Sequence, residues 1–170
     1  MPPRPLLLTG PPAVGKSTVA RSLAERQPAA AVVEVDDLRQ LVVTGAARAW
    51  EAGEGARQAR LAAVHACDLM SSFTEAGFAV VATDVVLWDT GSVYRSHPAR
   101  PFIVHLQVSL EEALRRAASR RVHLTEAEFR HLHGSERGAD CAHAEVDSTR
   151  LSLSQLTDAV ADLWTAGRGS

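Results

Sequence analysis

The chemistry of this chain is concentrated in one stretch near its start. Residues 10–17 read Gly-Pro-Pro-Ala-Val-Gly-Lys-Ser and fit the phosphate-binding pattern G-x-x-x-x-G-K-[ST]. A loop of this kind points several backbone N–H groups at phosphate oxygens, and the positive end of the following helix dipole adds to the attraction. Lys16 supplies a cation for the terminal phosphates of a polyphosphate, and the Ser17 hydroxyl is a ligand for Mg²⁺.

The other residues of this loop decide which backbone amides can take part. Gly10 and Gly15 permit a close approach that a Cβ would obstruct. Pro11 and Pro12 have no N–H to donate, so the donors are expected from Ala13 onward. The expected nucleotide-binding residues of the loop are Gly10, Ala13, Val14, Gly15, Lys16, Ser17 and Thr18. The competing interpretation is a chance glycine turn before a core helix, which the flanking strand and helix patterns disfavour.

Two acidic residues follow apolar strand patterns and could take part in phosphoryl transfer. Asp36 follows the pattern at 31–35 and is the expected catalytic base, which orients an attacking hydroxyl and accepts its proton. The alternative role for Asp36 is to cap a short helix. Asp84 follows the pattern at 79–83 and is expected either to serve Mg²⁺ or to bind the substrate, the alternative being a solvated acid at a strand end. For Asp37 we expect only a favourable place in the first helical turn.

Basic side chains could stabilise the charge that phosphoryl transfer places on phosphate oxygens. Arg116 and Arg120 are four residues apart, so they share a helix face and are both expected to contact the phosphates. Arg120 lies where the predicted helix gives way to a loop, and it is the expected catalytic arginine of a closing lid. The alternative for both arginines is a solvated basic face. Arg39 is a candidate for contacting the phosphate acceptor.

Four further residues have side chains that commonly bind metals. They are His131, His133, Cys141 and His143. A structural zinc site usually has tighter and more cysteine-rich spacing, and a helix would point His131 and His133 to nearly opposite sides. We therefore expect these residues on the surface of the lid and no metal site among them.

Strand and helix patterns alternate along the chain, which predicts a parallel sheet covered by helices on both faces. The predicted strands are residues 5–9, 31–35, 78–83, 102–108 and 143–147. The predicted helices are 16–26, a short one after Asp36, about 50–76, 109–120, and those that begin at capping boxes at Thr125 and Ser152, the helix at 109 also having a capping box. Residues 87–101 are predicted to be polar and irregular. Ligands bind such sheets at the carboxyl ends of the strands, which brings the loop, Asp36 and Asp84 to one edge.

Composition and charge narrow the class of protein. The chain has 170 residues, of which 46% are hydrophobic and 22% charged, and this suits one globular domain over residues 1–170. The net charge of −2 argues against a large nucleic-acid surface, and no apolar run is long enough to span a bilayer. The two cysteines form no disulfide framework, and the first strand pattern leaves no room for a signal peptide before it. We expect a cytoplasmic protein without nucleic-acid or membrane partners, and the oligomeric state stays open.

Taken in order, these motifs resemble those of small P-loop kinases, a group that includes gluconate, shikimate and adenylate kinases and the zeta toxins. Within this group the chain looks most similar to chloramphenicol phosphotransferase-like proteins. The resemblance is carried by Arg116 with Arg120 and by residues 10–17, 35–38, 83–86 and 146–149. It implies a P-loop NTPase fold, a three-layer α/β/α sandwich with five parallel strands in the order 2-3-1-4-5 and a small lid at about 120–142. It also implies ATP as the phosphate donor, Mg²⁺ as the cofactor, Asp36 as the catalytic aspartate and residues 147–150 beside the adenine.

The chain departs from these families in places that bear on the acceptor. Residues 10–12 replace a serine-rich loop segment, and residues 44–55, where acceptor contacts are expected, align with no family segment. The Asp-Gly-x-Pro-Arg type of segment that nucleoside monophosphate kinases carry is missing after Thr83, which disfavours a nucleotide acceptor.

The expected function is an ATP-dependent phosphotransferase that moves the γ-phosphate of ATP to a hydroxyl of a small metabolite, natural product or antibiotic. Lys16, Asp36 and Arg120 are the expected catalytic residues; Asp36, Arg39 and Asp84 face the substrate; Ser17 and Asp84 serve the metal. Two alternatives remain, a nucleotide-dependent switch or regulatory NTPase and a toxin-type kinase of nucleotide-sugar precursors. GTP is the less favoured donor because no Asn-Lys-x-Asp segment is present.

Overall fold

Five parallel strands form the centre of the computed structural model, which describes residues 2–118 and 124–167. The strands are β1 (Leu6–Thr9), β2 (Ala30–Glu34), β3 (Ala79–Asp84), β4 (Phe102–Gln107) and β5 (Ala144–Asp147). They pair in the order β2-β3-β1-β4-β5, which confirms the predicted α/β fold and its strand order. The fully buried β1 lies between β3 and β4, so the loop that follows it emerges at the middle of the sheet's carboxyl edge.

Helices cover both faces of this sheet. Successive side chains of a strand point to opposite faces, so the apolar strands present hydrophobic side chains on both. The helices of the described ranges are α1 (Lys16–Glu25), α2 (Val35–Arg39), α3 (Glu54–Glu75), α4 (Thr90–Ser96), α5 (Leu110–Ala118), α6 (Glu126–Ser135), α7 (Gly138–Cys141) and α8 (Leu153–Ala166). Leu6 and Leu8 point to one face, where they share a core with residues of α1 and α8 such as Leu23 and Trp164. Leu7 points to the other face and packs with residues of α3 and α4. The result is the predicted three-layer sandwich.

The prediction of an irregular segment at 87–101 is wrong, because α4 lies within it. Val93 and Tyr94 of α4 are buried, and they pack in the same core as Leu7 and the alanine-rich face of α3. A helix of seven residues with two large buried side chains has no repeating apolar pattern that sequence reading could detect.

Two of the three predicted capping boxes form. The Thr125 and Ser152 side chains each accept a hydrogen bond from the backbone N–H three residues later. The side chain of that later residue in turn accepts from the backbone N–H of Thr125 or Ser152. The predicted box at Ser109 is incomplete. The Glu112 N–H does donate to Ser109 Oγ (3.3 Å), but the Glu112 carboxylate binds Arg115 and Arg116, and the Ser109 N–H donates to Thr149 Oγ1 (3.2 Å). The Glu112 carboxylate therefore pairs with the two arginines and does not accept from the Ser109 N–H, which leaves the capping box half formed. None of the helices in residues 2–118 and 124–167 is long and apolar enough to cross a membrane.

Replacing Gly10 by alanine is expected to lower the free energy of unfolding by about 1–3 kcal/mol, a typical cost of overpacking. A Cβ at Gly10 would lie 2.2 Å from the Leu106 carbonyl oxygen, and the φ of +139° is strained for any L side chain. Gly134→Ala in α6 is the matched control, since a Cβ there meets nothing within 4 Å and a helix favours alanine. Urea unfolding of both variants measures the difference, and a Gly10→Ala protein as stable as the parent would contradict this packing.

Candidate active site

The phosphate-binding loop connects β1 to α1 at the carboxyl edge of the sheet. Gly15, directly before α1, has a φ of +107°, and Ala13 also has a positive φ of 61°, so the loop turns tightly before the helix begins. The Lys16 ammonium donates to the backbone oxygens of Gly10 (2.7 Å) and Pro11 (3.0 Å). Burial lowers the pKa of Lys16, and nearby carboxylates oppose that shift. A polyphosphate in the loop would replace the two backbone oxygens that Lys16 binds by anionic oxygens, which attract an ammonium more strongly.

Glu34, the last residue of β2, is the site residue that the sequence analysis missed. Its Oε2 accepts hydrogen bonds from Ser17 Oγ (2.9 Å) and Thr83 Oγ1 (2.6 Å). The structure thus places a carboxylate directly beside the hydroxyl expected to bind Mg²⁺, and this hydroxyl–carboxylate pair is the hard oxygen donor set that Mg²⁺ prefers. One signal could have revealed it, namely a single acidic residue at the end of an otherwise apolar strand.

Asp36 lies in the first turn of α2 and faces a cleft beside the loop. Its side chain is 76% exposed, and Oδ1 accepts a hydrogen bond from Arg39 Nη1 at 2.5 Å. No side-chain capping bond begins α2, so the alternative role of Asp36 as a helix cap does not apply. An exposed carboxylate held on one side by a guanidinium can accept a proton from a group bound in the cleft.

Asp84 is buried at the end of β3, where it joins Arg39 to the core of the sheet. Its Oδ1 accepts from Arg39 Nη2 and its Oδ2 accepts from the Tyr94 hydroxyl, both at 2.7 Å. Burial pushes the pKa of Arg39 down, but the charges of Asp84 and Asp36 outweigh burial and the pKa is raised. Arg39 is therefore a permanent cation between two carboxylates.

This burial bears on two interpretations of Asp84. Its side chain is 0% exposed, so the alternative of a solvated strand-end acid is wrong. Each Asp84 oxygen already accepts a hydrogen bond, one from Arg39 and one from Tyr94, so its expected role toward Mg²⁺ stays a prediction. The carboxylate that contacts the Ser17 hydroxyl is that of Glu34.

The cleft at Asp36 has a volume of about 490 Å³ and two unlike walls. We call it the Asp36 cleft. One wall is polar and comprises the phosphate-binding loop with Glu34, Asp36, Arg39, Thr83 and Asp84. The other wall is apolar and comprises Ala49, Trp50, Val85, Leu87, Leu124 and Leu132. Ala49 and Trp50 come from residues 44–55, the segment in which acceptor contacts were expected. A mostly apolar pocket with a few convergent polar groups is typical of small-molecule sites.

A second cleft, of about 470 Å³, opens on the other side of the phosphate-binding loop. We call it the Arg116 cleft; Ala13 and Gly15 line both clefts, so the loop lies between them. Thr149 and Arg150 also line the Arg116 cleft, and they belong to the segment that the resemblance places beside the adenine. The loop thus has room for a nucleoside on one side and for an acceptor on the other.

Arg116 lies on α5 and braces the loop. Its guanidinium donates to the Ser148 backbone oxygen (2.8 Å), to Ser148 Oγ (3.2 Å) and to the Val14 backbone oxygen (3.4 Å), and it also binds Glu112. These bonds tie α5 and the connection between β5 and α8 to the loop. Arg120, the expected catalytic arginine, lies outside the described residues.

The histidine and cysteine group is dispersed. His131 is exposed on α6, and His133 bonds the Val108 backbone oxygen at 3.0 Å. The expectation of a common place on the lid surface is wrong for Cys141, which is buried. His143 is exposed, but it lies directly before β5, where its ring stacks on Phe102, and not on the lid. The described part of the chain holds no group of three or more His, Cys, Asp or Glu residues that could bind a metal ion.

The strand order, the loop and the two clefts define the fold of a P-loop kinase. The chain belongs to the AAA domain family, which matches residues 6–130. No curated protein matches the chain in sequence.

Solved structures with this fold include several kinases. A sugar kinase from Janibacter sp. HTCC2649 has a TM-score of 0.74 and 18% identity, over 97% of this chain and 95% of the other. Shikimate kinase from Acinetobacter baumannii in complex with shikimate has a TM-score of 0.66 and 20% identity, over 99% and 96%. A tunicamycin resistance protein from Deinococcus radiodurans has a TM-score of 0.64 and 17% identity, over 94% of each chain. These similarities establish the fold.

The two carboxylates that hold Arg39 are expected to differ sharply in their effect on stability. Asp84→Ala should lower the free energy of unfolding by about 3–5 kcal/mol, because it leaves a largely buried guanidinium without its buried partner. Asp36→Ala removes the exposed partner of the same guanidinium and should cost less than about 1 kcal/mol. Urea unfolding followed by circular dichroism compares the two. Equal losses would show that burial does not set the strength of the Arg39–Asp84 pair.

Proposed function

We propose that this protein is an ATP-dependent kinase that transfers the γ-phosphate of ATP to a hydroxyl group of a small molecule. One observation carries the proposal: the residues that would hold the terminal phosphates, Lys16 and Ser17, line the same cleft as the exposed carboxylate of Asp36. Phosphoryl transfer needs the two reactants to be held together, and a single cleft that joins both groups supplies that proximity.

The loop residues divide the work of binding the nucleotide. The backbone amides from Ala13 to Thr18 would hold the phosphates, with the nucleoside in the Arg116 cleft. Ser17 and Glu34 are the residues that would hold Mg²⁺, since their oxygens are already 2.9 Å apart. When bound, ATP supplies the phosphoryl group and Mg²⁺ neutralises charge on its phosphates.

Asp36 is the general base of this proposal. It is exposed to the cleft, and its one described side-chain partner, Arg39, holds the carboxylate from the side. Arg39 is in turn held by the buried Asp84, so the position of the Asp36 carboxylate is fixed through Arg39. A hydroxyl bound in the Asp36 cleft would give its proton to Asp36 as its oxygen attacks the γ-phosphate of ATP and ADP leaves.

The lining of the Asp36 cleft supports an uncharged acceptor with an apolar body. Arg39 could attract an anionic acceptor, but each of its Nη atoms already meets a carboxylate. The apolar wall, which includes Trp50 and Leu132, suits a ring or hydrocarbon body. Natural products and antibiotics with free hydroxyls meet both conditions, in line with the similarity to chloramphenicol phosphotransferase-like proteins inferred from the motifs.

We also propose that residues 120–142 form the lid over this cleft, with Arg120 approaching the phosphates on closure. α6 lies in this segment, and its Leu132 contributes to the apolar wall. An ion pair between Glu128 of α6 and Arg48 joins the lid to the segment that carries Trp50. Closure would exclude water and so favour transfer to the acceptor over hydrolysis of ATP.

The cytoplasm is the proposed location of the protein. Cys67 and Cys141 are both buried free thiols, which suits a reducing compartment. Burial raises the pKa of Cys141 to about 11, so its thiol stays protonated and unreactive at neutral pH.

A screen of hydroxyl compounds for ADP release, followed by mass spectrometry of the products, tests the proposed function. We expect one class of neutral alcohols to raise ADP release well above the rate without acceptor and to gain the mass of one phosphate. Lys16→Ala, which removes the loop cation, is the blank and should lose this activity. ADP release that responds to a partner protein and to no alcohol would favour the regulatory NTPase instead.

Asp36→Asn is expected to lower kcat by about 10²–10⁴-fold, the usual share of a general base, while ATP affinity changes far less. The amide keeps the shape of the side chain but cannot take the hydroxyl proton. Asp37→Asn, one residue further along the same helix and outside the cleft lining, is the matched control and should keep the parental kcat. Steady-state kinetics with the identified acceptor provides both values. An unchanged kcat for Asp36→Asn would refute the assignment of the base.

A further inference from the structure

A small cavity lies at the edge of the sheet opposite to the phosphate-binding loop. It has a volume of about 210 Å³, and we call it the Arg4 cavity. It is lined by Arg4, Tyr94, Arg95, Arg100, Pro101 and His143. Arg4, Arg100 and His143 come together because they precede the neighbouring parallel strands β1, β4 and β5. Arg4 is six residues before Gly10, which corresponds to roughly 20 Å of extended chain, so the cavity is separate from the active site.

The Arg4 cavity concentrates positive charge that no acid balances. Arg4, Arg95 and Arg100 form no ion pair with any carboxylate in the described ranges, although the chain as a whole has a net charge of −2. Burial lowers the pKa of Arg4, and the charges of Arg100 and Arg95 lower it further. Like charges held this close destabilise one another unless an anion joins them.

His143 adds a donor at the same point. The Ile103 N–H donates to His143 Nδ1 (3.0 Å), so the neutral ring carries its proton on Nε2. That Nε2 lies 3.0 Å from Arg95 Nη1 and 3.4 Å from Arg4 Nη2. Burial, Arg4 and Arg95 lower the pKa of His143, which keeps the ring neutral. Arg4 Nη2 and Arg95 Nη1 also donate to the backbone oxygens of Pro101 (3.3 Å) and Cys141 (3.4 Å), but no carboxylate of the described residues pairs with these donors.

The donors are held in place by packing and by backbone bonds. The His143 ring stacks on the Phe102 ring at a centroid distance of 5.3 Å, and the Arg4 guanidinium lies 5.7 Å from the centre of the Phe102 ring. Arg4 Nε donates to the Arg100 backbone oxygen (2.5 Å), and the Arg4 backbone oxygen accepts from the Trp164 indole (2.7 Å). The arrangement is thus ordered before any ligand arrives, which lowers the entropic cost of binding.

We propose that the Arg4 cavity binds a small oxyanion, either inorganic phosphate or the phosphate or carboxylate group of a metabolite. Phosphate and carboxylate oxygens match the donor forks of arginine, and one anion can accept from Arg4, Arg95 and His143 together. Drug-sized ligands occupy about 300–1,000 Å³, so this cavity takes the anionic group and leaves the remainder of a metabolite outside.

Titration of the full, isotope-labelled chain with inorganic phosphate tests the proposal, with NMR signals of the His143 ring and the arginine side chains as the local readout. We expect these signals to shift in a saturable manner. Arg95→Gln should weaken the binding on the order of ten- to a hundred-fold, as expected for loss of a hydrogen bond to a charged group. Arg57→Gln on α3, which removes the same charge from an exposed arginine far along the chain, should leave the affinity unchanged.

Two further arms separate this site from the phosphate-binding loop and identify the source of the anion. Lys16→Ala, which weakens the loop, should leave the His143 response intact. A phosphate monoester and a dicarboxylate are titrated beside inorganic phosphate, and the tightest of the three identifies the anion class. The proposal is overturned if the His143 and arginine signals do not respond to any of the three anions, or if Arg95→Gln and Arg57→Gln weaken the response equally, as general charge screening would.

Discussion

The register of the parallel strands is the constraint on which the active site depends. β1 and β3 pair so that Thr9 lies opposite Asp84, and β2 and β3 pair so that Glu34 lies opposite Thr83. Three strands from distant parts of the chain therefore end side by side, and the phosphate-binding loop leaves β1, the central strand of the five. A shift of one residue in either pairing would turn these carboxylates to the other face of the sheet.

At that edge of the sheet, three carboxylates differ in burial and in partner, and the buried cation of Arg39 contacts two of them. Asp84 is withdrawn into the core by Arg39 and Tyr94, Asp36 is held at the surface of the cleft, and Glu34 turns to Ser17. Three carboxylates so close together would repel one another in an apolar setting, and the guanidinium between two of them removes most of that cost. The separation of a structural acid from a chemically available one follows from burial.

Tyr94 contacts both the active-site edge of the sheet and the Arg4 cavity. Its hydroxyl binds Asp84 at the active-site edge, and the residue also lines the Arg4 cavity near the opposite edge. α4 lies across the face of the sheet between these points, although its segment reads as a loop in the sequence. Both sites use arginines, but in opposite ways, since Arg39 lies between two carboxylates whereas Arg4, Arg95 and Arg100 line a cavity and form no ion pair in the described ranges.

The sequence by itself determined the phosphate-binding loop, the strand–helix alternation and the place of Asp36 after the second strand, because these features are local in the chain. The strand order came from the likeness to a known family. Only the tertiary structure decided that Glu34 meets Ser17, that Asp84 is buried under Arg39 and Tyr94, and that α4 is a helix. Each of these depends on partners brought together by strand pairing and packing across long sequence separations, and the role of an acid is set by its burial and its nearest donor.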